Sequence, residues 1–463
     1  MTIDLLPDVA LLEIFDAYIH EEDAFRRDRI EAWQTLVHVC RKWRNVVFGS
    51  PRRLNLRLHC KASTPVREML DIWPPLPIII VVYNADEWDK GNIISAFEHN
   101  DRICQLLLFD ISRSERRKAL AALQKPFPAL TYLHFAFMDE AAPVIPTSFL
   151  GGSAPCLQAL FLDRIPFPGL PKLLLSATHL VDLSLRNIPH SGYISPEAMV
   201  TCLSVLTRLE SLHIGFRSPR SRPDRRTQRL PPRIRTLPVF TELWFKGVSE
   251  YLEDLVARID APQLDNLKII FLHRLIFDCP QLTQFISRTP KLKAHDEAHV
   301  DFFEWDVRVI FPQPFDGRLE LRISCLRSDW QLSSAAHVCS SSFTQTLIPT
   351  VERLYIRSGL GGPDWQEDIE SGQWLELFRP FTAMKKLHIS SDFTSRIAPA
   401  LKEFVGDGVI EVLPALQTLF LEGPLLSGPA QEAIEQFVAA RQLAGHPIAV
   451  SHWEEDWEGS STV

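Results

Sequence analysis

The amino-acid sequence predicts an α/β protein, with a short helical segment at the N-terminus followed by a long, curved strand–helix array that has a parallel sheet. Two observations predict the array. A six-residue unit, L-x-x-L-x-L, recurs along much of the chain, and helix-like segments separate its copies. The end of each unit alternates with period 2, which is typical of a short strand with one face turned inward. Strand and helix units stacked side by side form a solenoid.

The copies of the unit begin at intervals of roughly 23 to 33 residues, with a longer gap before the last three. A proline often precedes the first apolar residue, at a point where strand pairing has not yet begun. The apolar positions of the copies are Ile103-Leu106-Leu108, Leu130-Leu133-Phe135, Leu157-Leu160-Leu162, Leu180-Leu183-Leu185, Leu209-Leu212-Ile214, Phe240-Leu243-Phe245, Leu264-Leu267-Ile269, Val351-Leu354-Ile356, Met384-Leu387-Ile389 and Leu416-Leu419-Leu421.

The connectors carry helix signals. Ser195-Pro196-Glu197 combines a serine cap, a proline in the first turn and an acid at the positive end of the helix dipole. Residues 249–259 carry a similar apolar stripe. Between 270 and 350 the pattern degenerates. Leu292 begins a copy whose second and third leucines are replaced by His295 and Glu297.

This array is similar to a leucine-rich-repeat solenoid. It departs from the family consensus at the Asn/Cys position three residues after the third leucine, so an asparagine ladder is not expected to hold the turns together. The predicted organisation is a separate helical domain over residues 1–50, a joining segment with the first strands over 51–100, the solenoid over 101–450 and an acidic tail over 451–463.

The N-terminal segment reads as two amphipathic helices. Pro7 suits the first turn of a helix, and apolar residues then follow at steps of 3 or 4 on two sides. A second stripe runs from Trp33 to Val47. This stripe can bury one side of the first helix, which leaves the end at Leu5, Leu6 and Pro7 for another protein.

These residues resemble an F-box, whose pattern is a Leu-Pro opening, an Ile-Phe pair and a Val-Cys-x-x-Trp. Leu6-Pro7, Ile14-Phe15 and Val39 to Trp43 match it, so the predicted domain over residues 1–50 is similar to an F-box. With the array it resembles the F-box and leucine-rich-repeat combination that is common among fungal F-box proteins. An insertion at 21–29 lengthens the usual gap, which a surface loop tolerates because closure entropy grows slowly with length. The alternative is an ordinary two-helix cap on the domain that follows. The resemblance implies contacts with a Skp1-type adaptor, and through it a cullin, at Leu5, Leu6, Pro7, Ile14, Phe15, Val39 and Trp43.

Composition restricts the other function classes. The net charge of -8 does not favour a nucleic-acid partner, and no apolar run approaches the length of a membrane span. Eight scattered cysteines without a C-x-x-C pair indicate reduced thiols in a cytoplasmic or nuclear protein. The pattern predicts no catalytic residues, no metal site and no cofactor, and therefore no enzyme.

One apparent motif is H-D-E-A-H at residues 295–299, which contains the letters of a helicase box. That box requires a phosphate-binding G-x-x-x-x-G-K-[ST] sequence upstream, and none is present. We therefore predict a polar, solvated turn here.

Two features are candidates for substrate binding. The stretch 217–235 is rich in arginine, including Arg222, Arg225 and Arg226. It is either a solvated loop or a docking loop for an acidic or phosphorylated protein, since guanidinium groups bind such anions bidentately. Phe161 and Trp244 occupy outward strand positions, and they either form a partner surface or are buried beneath that loop or the C-terminal tail.

The predicted function is therefore that of a substrate-recognition subunit of an SCF-type cullin–RING ubiquitin ligase, whose solenoid binds an unknown protein substrate. The alternative is a leucine-rich-repeat scaffold or ligand-sensing protein that is not part of a ligase.

Overall fold

In a computed structural model the chain divides into two compact units, Met1–Leu183 and Ser184–Val463. No helix among the described residues is long and apolar enough to cross a bilayer. The structure describes residues 6–23, 32–61, 66–82, 92–109, 113–137, 143–218, 234–272, 279–292, 296–312, 317–325, 327–341, 347–359, 362–363, 365, 371–403, 412–423 and 428–453.

The first unit begins with helices and continues with a parallel sheet in the order β1-β2-β3-β4-β5. Its elements are α1 (Asp8–Asp23), α2 (Ala32–Val39), α3 (Arg41–Gly49), β1 (Leu58–Lys61), α4 (Val66–Ile72), β2 (Ile78–Val82), α5 (Asn92–Ala96), β3 (Ile103–Phe109), α6 (Arg113–Ala122), β4 (Tyr132–Ala136), β5 (Ala159–Asp163) and α7 (Leu170–Leu174).

The second unit contains a larger sheet in the order β6-β7-β9-β11-β14-β13-β12-β15-β16-β17-β18, and a two-stranded pair of β10 and β8. The first two residues of β6 belong to the first unit. Its elements are β6 (Asp182–Ile188), α8 (Pro196–Leu203), β7 (Ser211–Phe216), β8 (Arg235–Thr236), β9 (Glu242–Gly247), α9 (Ser249–Val256), β10 (Ile259–Asp260), β11 (Asn266–Leu272), α10 (Pro280–Arg288), β12 (Glu297–Phe302), β13 (Asp306–Pro312), β14 (Arg318–Ser324), α11 (Trp330–Ser340), β15 (Arg353–Ser358), α12 (Ser371–Phe378), β16 (Lys386–Ile389), α13 (Ser391–Glu403), β17 (Thr418–Glu422), α14 (Pro429–Leu443) and β18 (Ala449–Trp453).

The recurring leucines line the core of each unit. In the first unit Leu106, Leu133 and Leu160 are register partners on successive strands, and all three are buried. In the second unit Leu212 pairs with Leu243, and Leu243 with Leu267. Because the period of a strand is 2, aligning the leucines turns every intervening residue to the opposite face.

The predicted helix start at Ser195 is confirmed. The Ser195 hydroxyl accepts a hydrogen bond from the Ala198 N–H at 3.2 Å, and Pro196 occupies the first turn of α8. Met199 and Leu203 on this helix are buried. The cap thus begins the helix at the residue where its apolar side can cover the sheet.

The predicted parallel sheet is confirmed for most strands of the second unit, with one strand as the exception. β13 is antiparallel to both of its neighbours, β12 and β14. After β11 the chain skips two places in the sheet to form β12, and returns through β13 to β14 beside β11. Short connections between β12, β13 and β14 allow this, because antiparallel strands need no crossover. Residues 270–350 therefore contain more than degenerate parallel repeats.

The register predicted from Leu292 is also wrong, because Leu292 lies in a short 3-10 turn and the strand begins at Glu297. Ala298 and Val300 fill the inward positions. The turn predicted at 295–299 is corrected in the same way: His299 lies on β12, where its ring nitrogen Nε2 is 2.6 Å from Glu297 Oε1. His295 lies outside the described residues.

Candidate functional site

The first candidate surface lies on the three N-terminal helices. α1 turns Leu11, Phe15 and Ile19 inward, and the ring centroids of Phe15 and Trp43 are 4.8 Å apart. Phe15 is 0% exposed. Its predicted contact with an adaptor is therefore corrected to a core position, because residues four apart share the face of α1 that packs on its neighbours. Trp43, on α3, is half-buried against this ring.

The opposite side of α1 is apolar and open to solvent. Val9 is 65% exposed and Ile14 is 51% exposed. At 100° per residue these two side chains flank Leu6, Ala10 and Ala17 on the helix surface. We call these five residues the N-terminal apolar face. A helix that is apolar on two sides buries one in its own fold and leaves the other for a partner.

Contacts from α3 and the following segment position this face. Lys42 Nζ donates a hydrogen bond to the Leu6 carbonyl at 2.7 Å, so the start of α3 lies beside the start of α1. Arg53 forms an ion pair with Glu13, an exposed acid that lies within the face, between Val9 and Ala17. Val39, at the end of α2, is 55% exposed. The predicted adaptor residues therefore include exposed apolar side chains on α1 and α2, whereas Leu5 lies outside the described residues.

Trp33 joins these helices to the rest of the first unit. Its indole Nε1 donates to the Arg57 carbonyl at 3.1 Å, just before β1. Its ring also lies edge-on to Trp73, with the centroids 5.1 Å apart. Trp33 is 2% exposed. It is therefore an anchor within the fold and is not available to a partner.

The second candidate surface is the outward side of the strands in the second unit, the side turned away from the leucine core. One row of side chains, which we call the middle row, runs across the sheet at a common register. Its members, taken in sheet order, are His213, Trp244, Lys268, Glu320, Ile310, His299, Tyr355, His388 and Phe420.

Trp244 belongs to this row and is half-buried. Its ring lies over Gly215 of β7, where an added Cβ would be only 2.7 Å from the ring. The His213 ring is 5.8 Å away. Gly215 therefore allows the indole to lie flat along the sheet and remain partly exposed. The predicted cover from Arg222, Arg225 and Arg226 falls outside the described residues.

A buried ion pair follows Trp244 in the row. Lys268 Nζ is 2.9 Å from Glu320 Oε1, and Glu320 is 1% exposed. Arg318 contributes a second cation at 3.5 Å from the other carboxylate oxygen. A carboxylate so deeply buried requires such partners, because an unpaired buried charge is strongly unfavourable.

Stacked rings continue the row on β15 to β17. The His388 ring stacks between Tyr355 and Phe420, with centroid distances of 4.2 and 4.3 Å. The Trp453 ring is perpendicular to the His388 ring, and their centroids are 5.4 Å apart. Burial lowers the pKa of His388 to about 4. The imidazole is therefore neutral at physiological pH and acts as part of an aromatic stack.

This stack makes stability depend on pH. The pKa of His388 falls from 6.5 to about 4 on folding, so its contribution to stability is complete above pH 6.5 and is lost as the pH falls towards 4. We expect the free energy of unfolding of the second unit to decrease across that interval. In His388→Phe the free energy of unfolding should decrease less between about pH 7 and about pH 5. Urea denaturation at the two pH values measures this difference. An unaltered pH dependence in His388→Phe would contradict the stacking argument.

Arginine–carboxylate pairs lie on β12 to β15, next to the aromatic stack and on the strands that lead up to it. Arg357 forms two hydrogen bonds to Asp301, at 2.8 and 3.0 Å. Asp306, which is 4% exposed, accepts from Arg322 at 2.6 Å and from Arg308 at 3.2 Å. Aromatic and arginine side chains together are the composition that protein interfaces favour.

Phe161 occupies an equivalent outward position on β5 of the first unit. It is half-buried, and it stacks with His134 at 5.2 Å, while His134 lies 4.4 Å from Phe109. Its predicted partner-surface role thus remains open, because the aromatic ladder covers only part of the ring.

Sequence reasoning missed the Tyr355–His388–Phe420 stack. Its signal is present in the sequence, since each residue stands between two core apolar residues of its repeat, and register aligns such positions across strands. In the part of the chain that the structure describes, no group of three or more His, Cys, Asp or Glu residues is arranged to hold a metal ion.

Comparisons with known proteins found solved structures with some similarity but no sequence relative. No family model matches the sequence, and no curated protein matches it. The structure is similar to the leucine-rich repeat-containing protein LegL7 from Legionella pneumophila, at 13% identity over 82% of this chain and 97% of that one, with a TM-score of 0.30. It is also similar to TLR13 in a complex with ssRNA13, at 12% identity over 84% of this chain and 48% of that one, with a TM-score of 0.30.

Proposed function

We propose that this chain is the substrate-recognition subunit of an SCF-type cullin–RING ubiquitin ligase. In this proposal the N-terminal apolar face binds a Skp1-type adaptor, and the adaptor links the chain to a cullin. The outward strand side of the second unit binds a protein substrate. The chain itself catalyses nothing, and it promotes ubiquitin transfer by bringing the substrate close to the ligase. Such a subunit acts in the cytoplasm or the nucleus.

The observation that carries the proposal is the division of α1 into two apolar sides. Phe15 is completely buried, while Val9 and Ile14 are more than half exposed on the same helix. Together with the Leu6-Pro7 opening and the Val39-to-Trp43 sequence, this division supports a helix built to receive a second protein. The Lys42 bond to the Leu6 carbonyl gives the face a defined position before the adaptor arrives.

Substrate binding is supported by the middle row. Trp244, Tyr355 and Phe420 present large, partly exposed rings in fixed positions, and the neighbouring arginines are held by buried carboxylates. Rigid aromatic and arginine side chains are the usual anchors of protein recognition, because little conformational entropy is lost when they are covered.

A binding experiment with a purified Skp1-type adaptor tests the proposal. We expect Ile14→Asp, and separately Leu6→Asp combined with Pro7→Ala, to weaken adaptor binding by about a hundredfold or more, because each places a charge in an apolar contact. The measurement is isothermal titration calorimetry.

Val144→Asp is the matched control, since Val144 is 55% exposed in the same unit but lies outside the N-terminal helices. It should bind the adaptor as the unmodified chain does. Adaptor binding by Ile14→Asp at unmodified strength, or no binding by the unmodified chain, would refute the adaptor role.

A further inference from the structure

The end of the sheet in the second unit presents an open edge. Among the described residues β18 is the last strand in the order, and it pairs with β17 alone. The Ala449 N–H donates to the Gln417 carbonyl at 2.9 Å. In a parallel ladder alternate residues point to the same neighbour, so Ala449, Ser451 and Trp453 face β17. Val450 and His452 therefore direct their N–H and C=O groups outward.

This edge lacks the features that usually protect sheet edges. The sequence of β18 is A-V-S-H-W, with no lysine, proline or acid within the strand, and such residues are what normally prevent pairing with another chain. Val450 is 43% exposed. An edge of this kind is a template for a further strand.

An apolar groove lies beside the edge, between α14 and β18, with a volume of about 350 Å³. Val450 and His452 form part of its floor, and Ile434 and Val438 of α14 form part of its wall. Leu443, at the end of α14, is 90% exposed. The groove and the edge together form one continuous site.

We propose that a second copy of this chain occupies the site, with the two β18 strands paired antiparallel about a two-fold axis through Ser451. This register places Val450 opposite His452 of the second copy. Since both residues direct their backbone groups outward, they form a hydrogen-bonded pair. The two-fold axis generates an equivalent pair between His452 of the first copy and Val450 of the second. The contact is isologous, so it closes as a dimer.

The side chains are complementary in this register. On the outward face Ala449 lies opposite Trp453 of the second copy, whose ring packs over His388 of its own chain and leaves room at the edge, and Ser451 meets its own equivalent. No like charges stand directly opposite each other, which would be destabilising. On the other face each groove gains the His452 side chain of the second copy, whose imidazole can donate to Glu435 at the groove rim. A foreign strand has no reason to match both faces in this way.

Sedimentation velocity of the whole chain over a concentration series tests the proposal. We expect a monomer–dimer equilibrium, and we expect Val450→Lys and Val450→Pro each to raise the dissociation constant by at least about tenfold. Val450→Pro removes an outward N–H that β17 does not use, so the ladder within the chain is kept. Val239→Lys is the control, because Val239 is 42% exposed, close to the 43% of Val450.

Disulfide trapping tests the register independently. Ser451→Cys, in a chain whose exposed Cys156 is replaced by Ser, should form a dimer through a disulfide when diamide takes up the two thiol hydrogens. Residues opposite each other at a non-hydrogen-bonded site have Cα atoms about 4.5 Å apart, within reach of a disulfide. Ala449→Cys should not cross-link, since it faces Trp453.

Two outcomes would overturn the proposal. One is a chain that remains monomeric throughout the concentration series, or that dimerises equally well with Val450→Lys. The other is equal cross-linking of Ala449→Cys and Ser451→Cys, which would mean a different contact.

Discussion

Replacing Leu243 with Ala is expected to lower the free energy of unfolding by about 2–5 kcal/mol. Leu243 is 0% exposed and stands in register between Leu212 of β7 and Leu267 of β11. Removing its isobutyl group leaves a cavity in the row, and parallel strands held by backbone bonds on both sides cannot collapse into it. Urea denaturation, with amide hydrogen exchange of β7, β9 and β11, measures the loss.

The same substitution at Leu160, Leu183 or Leu212 should fall in the same range, since each is at most 1% exposed. Val239→Ala is the comparison, because an exposed side chain outside the strands should change stability by less than about 0.5 kcal/mol. Losses within experimental error at two of the four leucines would show that the repeat register is not what stabilises these units.

Replacing Trp374 with Ala is expected to cost about 3–5 kcal/mol of unfolding free energy. Trp374, on α12, is 0% exposed. Its ring packs against Phe302, Phe378 and Phe393 at centroid distances of 6.1 Å in each case. This cluster connects β12, α12 and α13, so its loss should destabilise the part of the second unit that follows the antiparallel strands.

Two substitutions separate the effect of burying the Trp374 ring from the effect of its indole N–H. The Trp374 indole Nε1 has no hydrogen-bond partner among the described residues, so Trp374→Phe should cost much less than Trp374→Ala. Trp305→Ala is the matched control, because Trp305 is 65% exposed. If Trp305→Ala and Trp374→Ala shift the denaturation midpoint equally, the cluster does not stabilise the unit as argued.

Much of the strand placement could be predicted because burial and alternation act locally. Leu354-x-Ile356 and Leu387-x-Ile389 each specify a strand and its inward face, and the structure pairs them in that register. The Ser195 cap likewise specified the start of α8. The open edge and groove at β18 could not be predicted in this way, because an unpaired edge is a property of the neighbours that a strand has.

The candidate functional residues also include some that the sequence could place and some that only packing could place. Sequence spacing placed Ile14 and Phe15 together in one motif, but only packing decided that Phe15 lies inside and Ile14 outside. Tyr355, His388 and Phe420 are far apart in sequence and become one stack only when β15, β16 and β17 pair.

Where the apolar unit is complete, as in Leu354-x-Ile356, the strand and its inward side chains follow from the sequence, because a period of 2 couples backbone geometry to burial within a few residues. The tertiary structure alone decided the strand order. The reversal through β13 lies in a stretch where Leu319, Leu321 and Ile323 alternate as they would in a parallel strand. Strand direction depends on which neighbour supplies the hydrogen bonds, and alternation carries no information about that choice.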